Sequence, residues 1–264
     1  MTDSYDLIVV GAGPGGYVAA IRAAQLGQKV GIVEKTNAGG TCLNVGCIPS
    51  KTLLEHGTKA HDIRKANDWG IETQAMKVNF SKLVQRKQHI VSTLTGGVKQ
   101  LLKKNKVTFI KGEATVTKDL EVKVNNQTYQ AKDIILSTGS KPFIPPIEGL
   151  NDIKYETTDT FFDIETLPKQ LAIIGGGVIA TELASSMADL GVEVTIIEVN
   201  EDILLTEIEE VRELLKDHLK NQSIRILTGA KISKVTTSKV ILDNHEDVSF
   251  DTLLAVSYTH LRAH

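Results

Sequence analysis

The strongest constraint on the fold is a glycine-rich pattern that occurs twice. The first copy, Gly-Ala-Gly-Pro-Gly-Gly, occupies residues 11–16, and the second, Gly-Gly-Gly-Val-Ile-Ala, occupies residues 175–180. A short apolar segment typical of a buried strand precedes each copy, and a helical segment and a second apolar segment follow it. The second apolar segments end in Glu34 and Glu198. The pattern predicts two dinucleotide-binding units, each built as strand, turn, helix and strand.

Each glycine position has a physical reason. Gly11 permits a tight turn, Gly13 lets the backbone approach a pyrophosphate, and Gly16 allows close packing of helix against strand. The N-terminus of the following helix offers free N–H groups and a positive dipole end to phosphates. In the second copy Gly175 and Gly177 match the first two glycines, and an alanine takes the third position.

The acid that ends each unit predicts how a nucleotide sugar is recognised. Glu34 and Glu198 can accept hydrogen bonds from ribose hydroxyls. Residues 198–202 read Glu-Val-Asn-Glu-Asp, and no arginine follows closely enough to bind a 2′-phosphate. Because carboxylates repel a 2′-phosphate, the second unit is predicted to take NAD and not NADP.

Both cysteines of the chain, Cys42 and Cys47, lie in one glycine-containing loop. A disulfide across such a short loop adds little stability, so a redox pair explains it better. In a redox pair one thiolate attacks a substrate disulfide, and the other resolves the mixed disulfide. Buried structural cysteines and half of a metal site are the alternatives, although the sequence has no second Cys or His cluster at metal spacing.

Residues 47–59 predict a helix that opens at the second cysteine. A thiol at a helix N-terminus has its thiolate stabilised by the dipole, which lowers its pKa. Lys51 lies one turn beyond Cys47 on the same face, where its ammonium group can stabilise negative charge on a thiolate or a cofactor. A solvated surface lysine is the plain alternative.

Composition excludes several classes of function. With 41% hydrophobic and 23% charged residues and a net charge of -2, the chain has no electrostatic signature of binding to nucleic acid or to an anionic membrane. No apolar run approaches the roughly 20 residues that span a bilayer. Few cysteines and no visible secretory signal indicate a reducing compartment, so we expect a cytoplasmic protein. A cleaved organellar presequence is the alternative.

The remaining chain predicts two more helices and a linker. Residues 80–104 form a long polar helix that Gly96 and Gly97 could interrupt. A proline-containing segment at residues 142–146 marks a linker. The apolar residues of an amphipathic helix over residues 207–220 predict a buried stripe of Ile208, Val211, Leu214, Leu215 and Leu219.

The two glycine patterns and the Cys-x4-Cys loop with its lysine together resemble the flavin-dependent pyridine nucleotide–disulfide oxidoreductases, over residues 5 to about 256. The sequence of residues 40–51 and the acid Glu198, which favours NAD, are most similar to those of the dihydrolipoamide dehydrogenases. The resemblance implies an α/β fold with two Rossmann-like domains, FAD-binding over residues 1–145 and NAD-binding over residues 146–256. It implies a flavoprotein of cell redox homeostasis that reoxidises dihydrolipoyl groups through a redox-active disulfide and FAD, with NAD+ as acceptor.

The resemblance also implies partners and residue roles. Dihydrolipoyl domains of 2-oxoacid dehydrogenase or glycine-cleavage complexes would be the partners, and the parent enzyme would be a homodimer. Cys42 would exchange with dihydrolipoamide, Cys47 would face the flavin as a charge-transfer thiolate, and Lys51 would pair with Glu182 near the reactive flavin nitrogen. The FAD site would contain Gly11, Gly13, Gly16, Glu34, Gly40, Thr41, Lys51, Ala114, Thr138 and Gly139, and the NAD site would contain Gly175, Gly177, Val178, Glu182, Glu198 and Ile232.

The sequence departs from the family after Val256. The family continues with a second FAD segment and an interface domain that carries a His–Glu base, whereas residues 257–264 are an atypical tail. We therefore expect a truncated chain without the interface domain, which binds flavin weakly and turns over little. One alternative is a cofactor-binding fragment without turnover. Another is an NAD(P)H-dependent reductase of other disulfides or of metals, like glutathione or mercuric reductase.

Overall fold

The computed structural model describes residues 4–244 and 246–256, and it divides into two units. The first unit comprises the residues through Pro49 together with Gln88–Lys141, and the second comprises Ser50–Lys87 together with the residues from Pro142 onward. The domain boundary between residues 145 and 146 stays a prediction, and the second unit additionally takes in an earlier stretch of chain. The predicted tail at residues 257–264 lies outside the described residues.

The first unit is built on a six-stranded sheet with the order β3-β2-β1-β6-β5-β4. Strands β3, β2, β1 and β6 are parallel, whereas β4 and β5 join as an antiparallel extension. The strands are β1 (Ser4–Val10), β2 (Val30–Glu34), β3 (Thr108–Lys111), β4 (Ala114–Val116), β5 (Glu121–Val124) and β6 (Gln127–Leu136).

Both faces of this sheet are covered at its centre. On one face, Val9 and Ile32 are fully buried in one apolar cluster with residues of α1 (Pro14–Gln25) and α4 (Phe80–Lys104). On the other face, Ile8 lies in a cluster with residues of β4, β5 and β6. Burial on both faces explains why the last four residues of β1, at positions 7–10, are all apolar.

The cysteine loop is helical on both sides of Gly46. Helix α2 (Gly40–Val45) holds Cys42, and α3 (Cys47–Lys65) begins at Cys47 as the sequence predicts. Helix α2 was not predicted, because it is short and opens with two glycines at positive φ, 94° at Gly39 and 57° at Gly40.

The second unit repeats the plan of the first. Its main sheet is parallel with the order β13-β7-β8-β9, and β10-β11-β12 form a separate antiparallel sheet. The strands are β7 (Gln170–Ile174), β8 (Glu193–Ile197), β9 (Arg225–Leu227), β10 (Ile232–Val235), β11 (Lys239–Leu242), β12 (Asp247–Ser249) and β13 (Thr252–Ala255), and the helices are α5 (Thr158–Phe161), α6 (Val178–Asp189) and α7 (Glu209–Asn221). Short 3-10 helices occur at Ala66–Trp69 and Leu150–Asp152.

The strand orders confirm the predicted α/β class with two Rossmann-like units. When only the parallel strands of each sheet are counted in chain order, their order across the sheet is third, second, first, fourth. The antiparallel strands of each unit come just before the fourth parallel strand in the chain. The strand order therefore reverses between the first and the fourth strand, which are parallel, and ligands bind at such a point at the carboxyl ends of the strands. None of the helices formed by the described residues is long and apolar enough to cross a membrane.

Two expectations about helices were wrong. Helix α4 runs through Gly96 and Gly97 without interruption. The predicted buried stripe of α7 is mostly open to solvent: Leu219 is buried, but Leu214 is 72% exposed and Ile208 is 67% exposed. A helical period shows that one face is apolar, but it does not show that the whole length of that face is covered.

Candidate functional site

The first glycine turn lies against the end of β6. Gly11 has a φ of 102°, and a Cβ on it would lie 2.1 Å from the Ser137 carbonyl oxygen. The Ser137 amide donates to the Val10 carbonyl oxygen at 2.8 Å. The turn that contains Thr138 and Gly139 follows directly, so the structure brings these two predicted residues to the same edge of the sheet as the glycine turn.

Two further glycines, Gly16 in the turn and Gly40 at the start of α2, also leave no room for a side chain. A Cβ on Gly16 would lie 1.8 Å from the Gly11 carbonyl oxygen. A Cβ on Gly40 would lie 2.6 Å from the Gly13 Cα, so the start of α2 packs directly on the turn. The result is a bare backbone surface at the N-terminus of α1, which is the kind of cradle that phosphate groups occupy.

Glu34 is held by three hydrogen bonds, one from the glycine turn and two from Thr36. Its Oε2 accepts from the Ala12 amide at 2.9 Å, and its Oε1 accepts from the Thr36 amide at 2.7 Å and from the Thr36 hydroxyl at 2.9 Å. The residue is only 8% exposed. The Glu34 carboxylate is therefore already held beside the glycine turn without a ligand.

Glu198 repeats this arrangement in the second unit. Its Oε2 accepts from the Gly176 amide at 2.6 Å, and its Oε1 accepts from the Asn200 amide at 2.8 Å and from the Asn200 side-chain amide at 2.6 Å. It is also 8% exposed. Sequence reasoning missed both supporting residues, Thr36 and Asn200. The available signal was a side chain with a donor group two positions after the acid in both units.

The second glycine turn differs slightly from the first. Gly175 has a φ of 114°, and nothing lies within 4 Å of a Cβ built on Gly177. The alanine that replaces the third glycine, Ala180, is fully buried. Val178 is the first residue of α6 and is 49% exposed, and Ile232 opens β10 and packs partly against the core.

The two cysteines are free thiols in contact with each other. The Cys42 and Cys47 side chains interact by a hydrogen bond, and Cys42 is partly buried whereas Cys47 is exposed. Gly46 permits this, because a Cβ there would lie 3.0 Å from the Thr41 carbonyl oxygen and 3.4 Å from the Cys42 Cα. Burial, together with the neighbouring Cys47, raises the pKa of Cys42 to about 11. The Cys42 thiol is therefore protonated at neutral pH.

Lys51 and Glu182 form an ion pair within the second unit. The Lys51 ammonium donates to Glu182 Oε1, and the side chains are 61% and 27% exposed. Surface ion pairs of this exposure add little stability. The pair joins the second turns of α3 and α6, and its role beside a flavin stays a prediction.

The remaining predicted residues occupy loop or strand positions of the first unit. Ala114 opens β4 and packs partly against a core cluster. Thr41 is exposed in the first turn of α2. Among the residues that the structure describes, no group of three or more His, Cys, Asp or Glu side chains could hold a metal ion.

Residues 5–257 match the family model described as pyridine nucleotide-disulphide oxidoreductase. The chain belongs to the pyridine nucleotide-disulphide oxidoreductases. This family has the fold that carries the two glycine turns, the two hydrogen-bonded glutamates and the dithiol. Its name refers to a pyridine nucleotide and to disulfide chemistry.

Several relatives within the family carry one name. The chain is 41% identical to the dihydrolipoyl dehydrogenase of Acholeplasma laidlawii over 265 residues, which covers 97% of this chain and 79% of that protein. It is 40% identical to the dihydrolipoyl dehydrogenase of Bacillus subtilis, with 90% of this chain and 53% of that protein covered.

A solved structure shows the same fold. The Cu(II) complex of the HOCl-induced flavoprotein disulfide reductase RclA from Escherichia coli superposes with a TM-score of 0.85 at 25% identity, covering 99% of this chain and 58% of that one. The chain thus spans about half the length of most relatives that it matches.

Proposed function

We propose that the chain is the cofactor-binding part of a dihydrolipoyl dehydrogenase, which reoxidises dihydrolipoyl groups through the Cys42–Cys47 pair and FAD, with NAD+ as acceptor. The observation that carries the proposal is the dithiol in the loop that packs on the first glycine turn. The relatives named above support the choice of substrate.

The first unit fits a flavin dinucleotide. Gly11 and Gly40 provide bare backbone where a Cβ would collide, Gly13 lies between them without a side chain, and the N-terminus of α1 faces that surface. The Glu34 carboxylate, which accepts hydrogen bonds from Thr36, would bind the hydroxyls of the adenosine ribose. When bound, FAD supplies a two-electron carrier between a dithiol and a nicotinamide.

The second unit fits a nicotinamide dinucleotide by the same logic. Gly175 and Gly177 leave the start of α6 open to a pyrophosphate, and Glu198 would bind the ribose hydroxyls. Because three donors hold the Glu198 carboxylate, the side chain cannot easily rotate to move its negative charge away from a 2′-phosphate. This supports NAD as the preferred cofactor.

The dithiol carries the exchange steps. A substrate thiolate attacks Cys42 Sγ of the Cys42–Cys47 disulfide, so the S–S bond breaks and Cys47 leaves as a thiolate. The second substrate thiol, once deprotonated, attacks the substrate sulfur of the mixed disulfide, and Cys42 is released. The raised pKa of Cys42 means that the released sulfur takes up a proton at neutral pH. The substrate ends as a disulfide and the protein as a dithiol.

The Lys51 ammonium group would stabilise negative charge near the flavin, and Glu182 would fix the position of that group.

We further propose that dihydrolipoyl domains of the 2-oxoacid dehydrogenase or glycine-cleavage complexes are the partners, that the parent enzyme is a homodimer, and that it works in the cytoplasm.

A second candidate is a reductase of another disulfide or of a metal ion. The structural match to RclA, which is described as a disulfide reductase and as a Cu(II) complex, favours it. Its sequence identity is lower than that of the dihydrolipoyl dehydrogenases.

The test is a single-turnover exchange with the oxidised chain. One equivalent of dihydrolipoamide, two of glutathione or one of NADH plus FAD, the last with and without Cu(II), is added without oxygen, and alkylation followed by mass spectrometry counts the thiols. We expect dihydrolipoamide to release both cysteines, the Cys42→Ser variant to lack the exchange, and steady-state turnover to be small. Equal or faster reaction with glutathione, or NADH-driven reduction of Cu(II) without reaction of dihydrolipoamide, would support the second candidate instead.

A further inference from the structure

We propose that Asn44 is a positioning residue that sets the redox equilibrium of the Cys42–Cys47 pair. Its side-chain amide donates to the Ala38 carbonyl oxygen at 3.1 Å and to the Gly40 carbonyl oxygen at 2.8 Å. These two carbonyls flank the left-handed glycine that precedes α2. One side chain therefore ties the last turn of α2 to the chain that enters it.

The tie acts on a short segment whose two glycines favour many backbone conformations. Helix α2 has six residues, and no side chain caps its N-terminus. Both Gly39 and Gly40 have positive φ, and glycines lose more conformational freedom on ordering than other residues do. The Asn44 amide offsets that cost, since it bridges across both glycines.

The same segment is held to the first glycine turn. The Gly39 amide donates to the Ala12 carbonyl oxygen at 2.8 Å, and Gly40 packs on the Gly13 Cα. Asn44 thus fixes α2 relative to the turn, and with it Cys42, which lies two residues after Gly40 and two before Asn44. Cys47 is carried separately, as the first residue of α3.

A disulfide tolerates only a narrow range of Cα separations and torsions, so its stability depends on how closely the two sulfurs are held in register. The relevant equilibrium is Cys42–SH plus Cys47–SH plus glutathione disulfide, giving the Cys42–Cys47 disulfide plus two glutathione thiols. Protein sulfurs lose two electrons and two protons, and glutathione gains them. Loosening α2 lowers the effective concentration of one thiol at the other, so less disulfide forms at a given glutathione ratio.

The experiment measures this equilibrium constant in glutathione buffers, by alkylation of the free thiols and mass spectrometry. We expect Asn44→Ala to lower the constant about tenfold, which corresponds to a rise of about 30 mV in the dithiol potential. Asn44→Asp, which keeps the shape but loses both N–H donors, should lower it at least as much. Asn44→Gln, which keeps an amide donor, should fall between wild type and alanine.

Asn105 offers a matched control in the same unit. Its side-chain amide donates to the Leu101 carbonyl oxygen at 2.8 Å, which is the same four-residue spacing and length as the bond from Asn44 to Gly40. Asn105→Ala should change the constant less than twofold. Thermal unfolding of both variants separates a general loss of stability from a shift in the redox equilibrium.

The inference rests on the proposed function only in that the two cysteines form the redox pair. Should the wild-type chain form no disulfide at any glutathione ratio, the proposed function and this inference both fail. Should wild type and a folded Asn44→Ala give the same constant, or Asn105→Ala shift it equally, the inference alone fails. If Asn44→Ala does not fold, the comparison is decided by Asn44→Gln, whose constant must then lie below that of wild type.

Discussion

Single side chains hold the two acids that we propose to bind the nucleotide sugars. The two acids at the ends of β2 and β8 are oriented by the same three-donor pattern, although Thr36 supplies the side-chain donor in one unit and Asn200 in the other. The acids could be predicted from the sequence because strand, turn and helix fix their position. Their supporting donors could not, since which of several nearby polar residues reaches the carboxylate depends on the folded loop.

The raised pKa of Cys42 predicts an unusual pH dependence of its alkylation. Burial and Cys47 hold the thiol protonated to about pH 11, above its ordinary value of 9.0. The rate with iodoacetamide should keep rising about tenfold per pH unit beyond pH 9, because only the thiolate reacts. Site-resolved mass spectrometry of the reduced chain measures the rate, with glutathione as the reference thiol. A plateau at or below pH 9 would contradict the assignment.

The same shift has a consequence for stability. Between pH 9 and about 11 the unfolded chain has lost the Cys42 proton while the folded chain keeps it. Since the folded state then binds more protons, stability falls as pH rises through this window. Urea unfolding at pH 8.5 and pH 10.5 should show this loss in wild type and a smaller loss in Cys42→Ser. An equal loss in the two proteins would contradict it.

Glu198 should set the choice between the two nicotinamide dinucleotides. Glu198→Gln removes the charge that repels a 2′-phosphate, so the ratio of NADH to NADPH affinity should fall at least about tenfold. Glu193→Gln, an exposed glutamate at the start of the same strand, is the control and should leave the ratio unchanged. Fluorescence titration of both ligands measures it, and an unchanged ratio in Glu198→Gln would overturn the assignment of this acid.

Helices α3 and α6 pack closely against each other in the second unit. A Cβ on Gly57 would lie 3.1 Å from the Ser186 carbonyl oxygen and 3.3 Å from the Asp189 Cβ. Asp189 also accepts from Arg64 at 3.2 Å and lies 3.3 Å from His61 Nδ1. With the Lys51–Glu182 pair one turn away on α6, these contacts hold α3 along the length of its partner helix.

This packing predicts opposite effects for one substitution in two helices. Gly57→Leu should destabilise by about 1–3 kcal/mol, because the new side chain meets the α6 backbone. Gly97→Leu in α4 should stabilise by about 0.5–1 kcal/mol, since nothing lies within 4 Å of a Cβ there and leucine favours helix more than glycine does. Denaturant unfolding measures both. Equal shifts in the two variants would refute the contact.

Prediction of the elements succeeded where periodicity was strong and failed where packing decided. The strands β1, β7 and β8 are each rich in buried apolar residues and lead into or follow a glycine turn, which indicates a strand. Helix α2 escaped prediction because two glycines at its start oppose helix formation until they pack on the first turn. The exposure of Leu214 and Ile208 on α7 could not be read from spacing alone, because spacing does not say what covers a face.

The molecule as a whole is one plan used twice, with the dithiol added to the first copy. Each unit has a parallel sheet of the same order, a bare glycine turn and a clamped acid. The family and the pairing of two dinucleotide folds followed from the sequence. The substrate did not follow from the sequence, because the chain spans about half the length of the Bacillus subtilis relative and of RclA.

The most direct test of the whole account is the absorption spectrum of the purified chain with excess FAD, before and after dithiothreitol without oxygen. The account predicts bound flavin peaks and, on reduction, a long-wavelength band from a thiolate beside the flavin. That band should persist in Cys42→Ser and vanish in Cys47→Ser. The claim that the first unit places a thiolate of the dithiol beside a flavin would be contradicted if the chain bound no flavin. It would also be contradicted if the spectrum were the same in wild type, Cys42→Ser and Cys47→Ser.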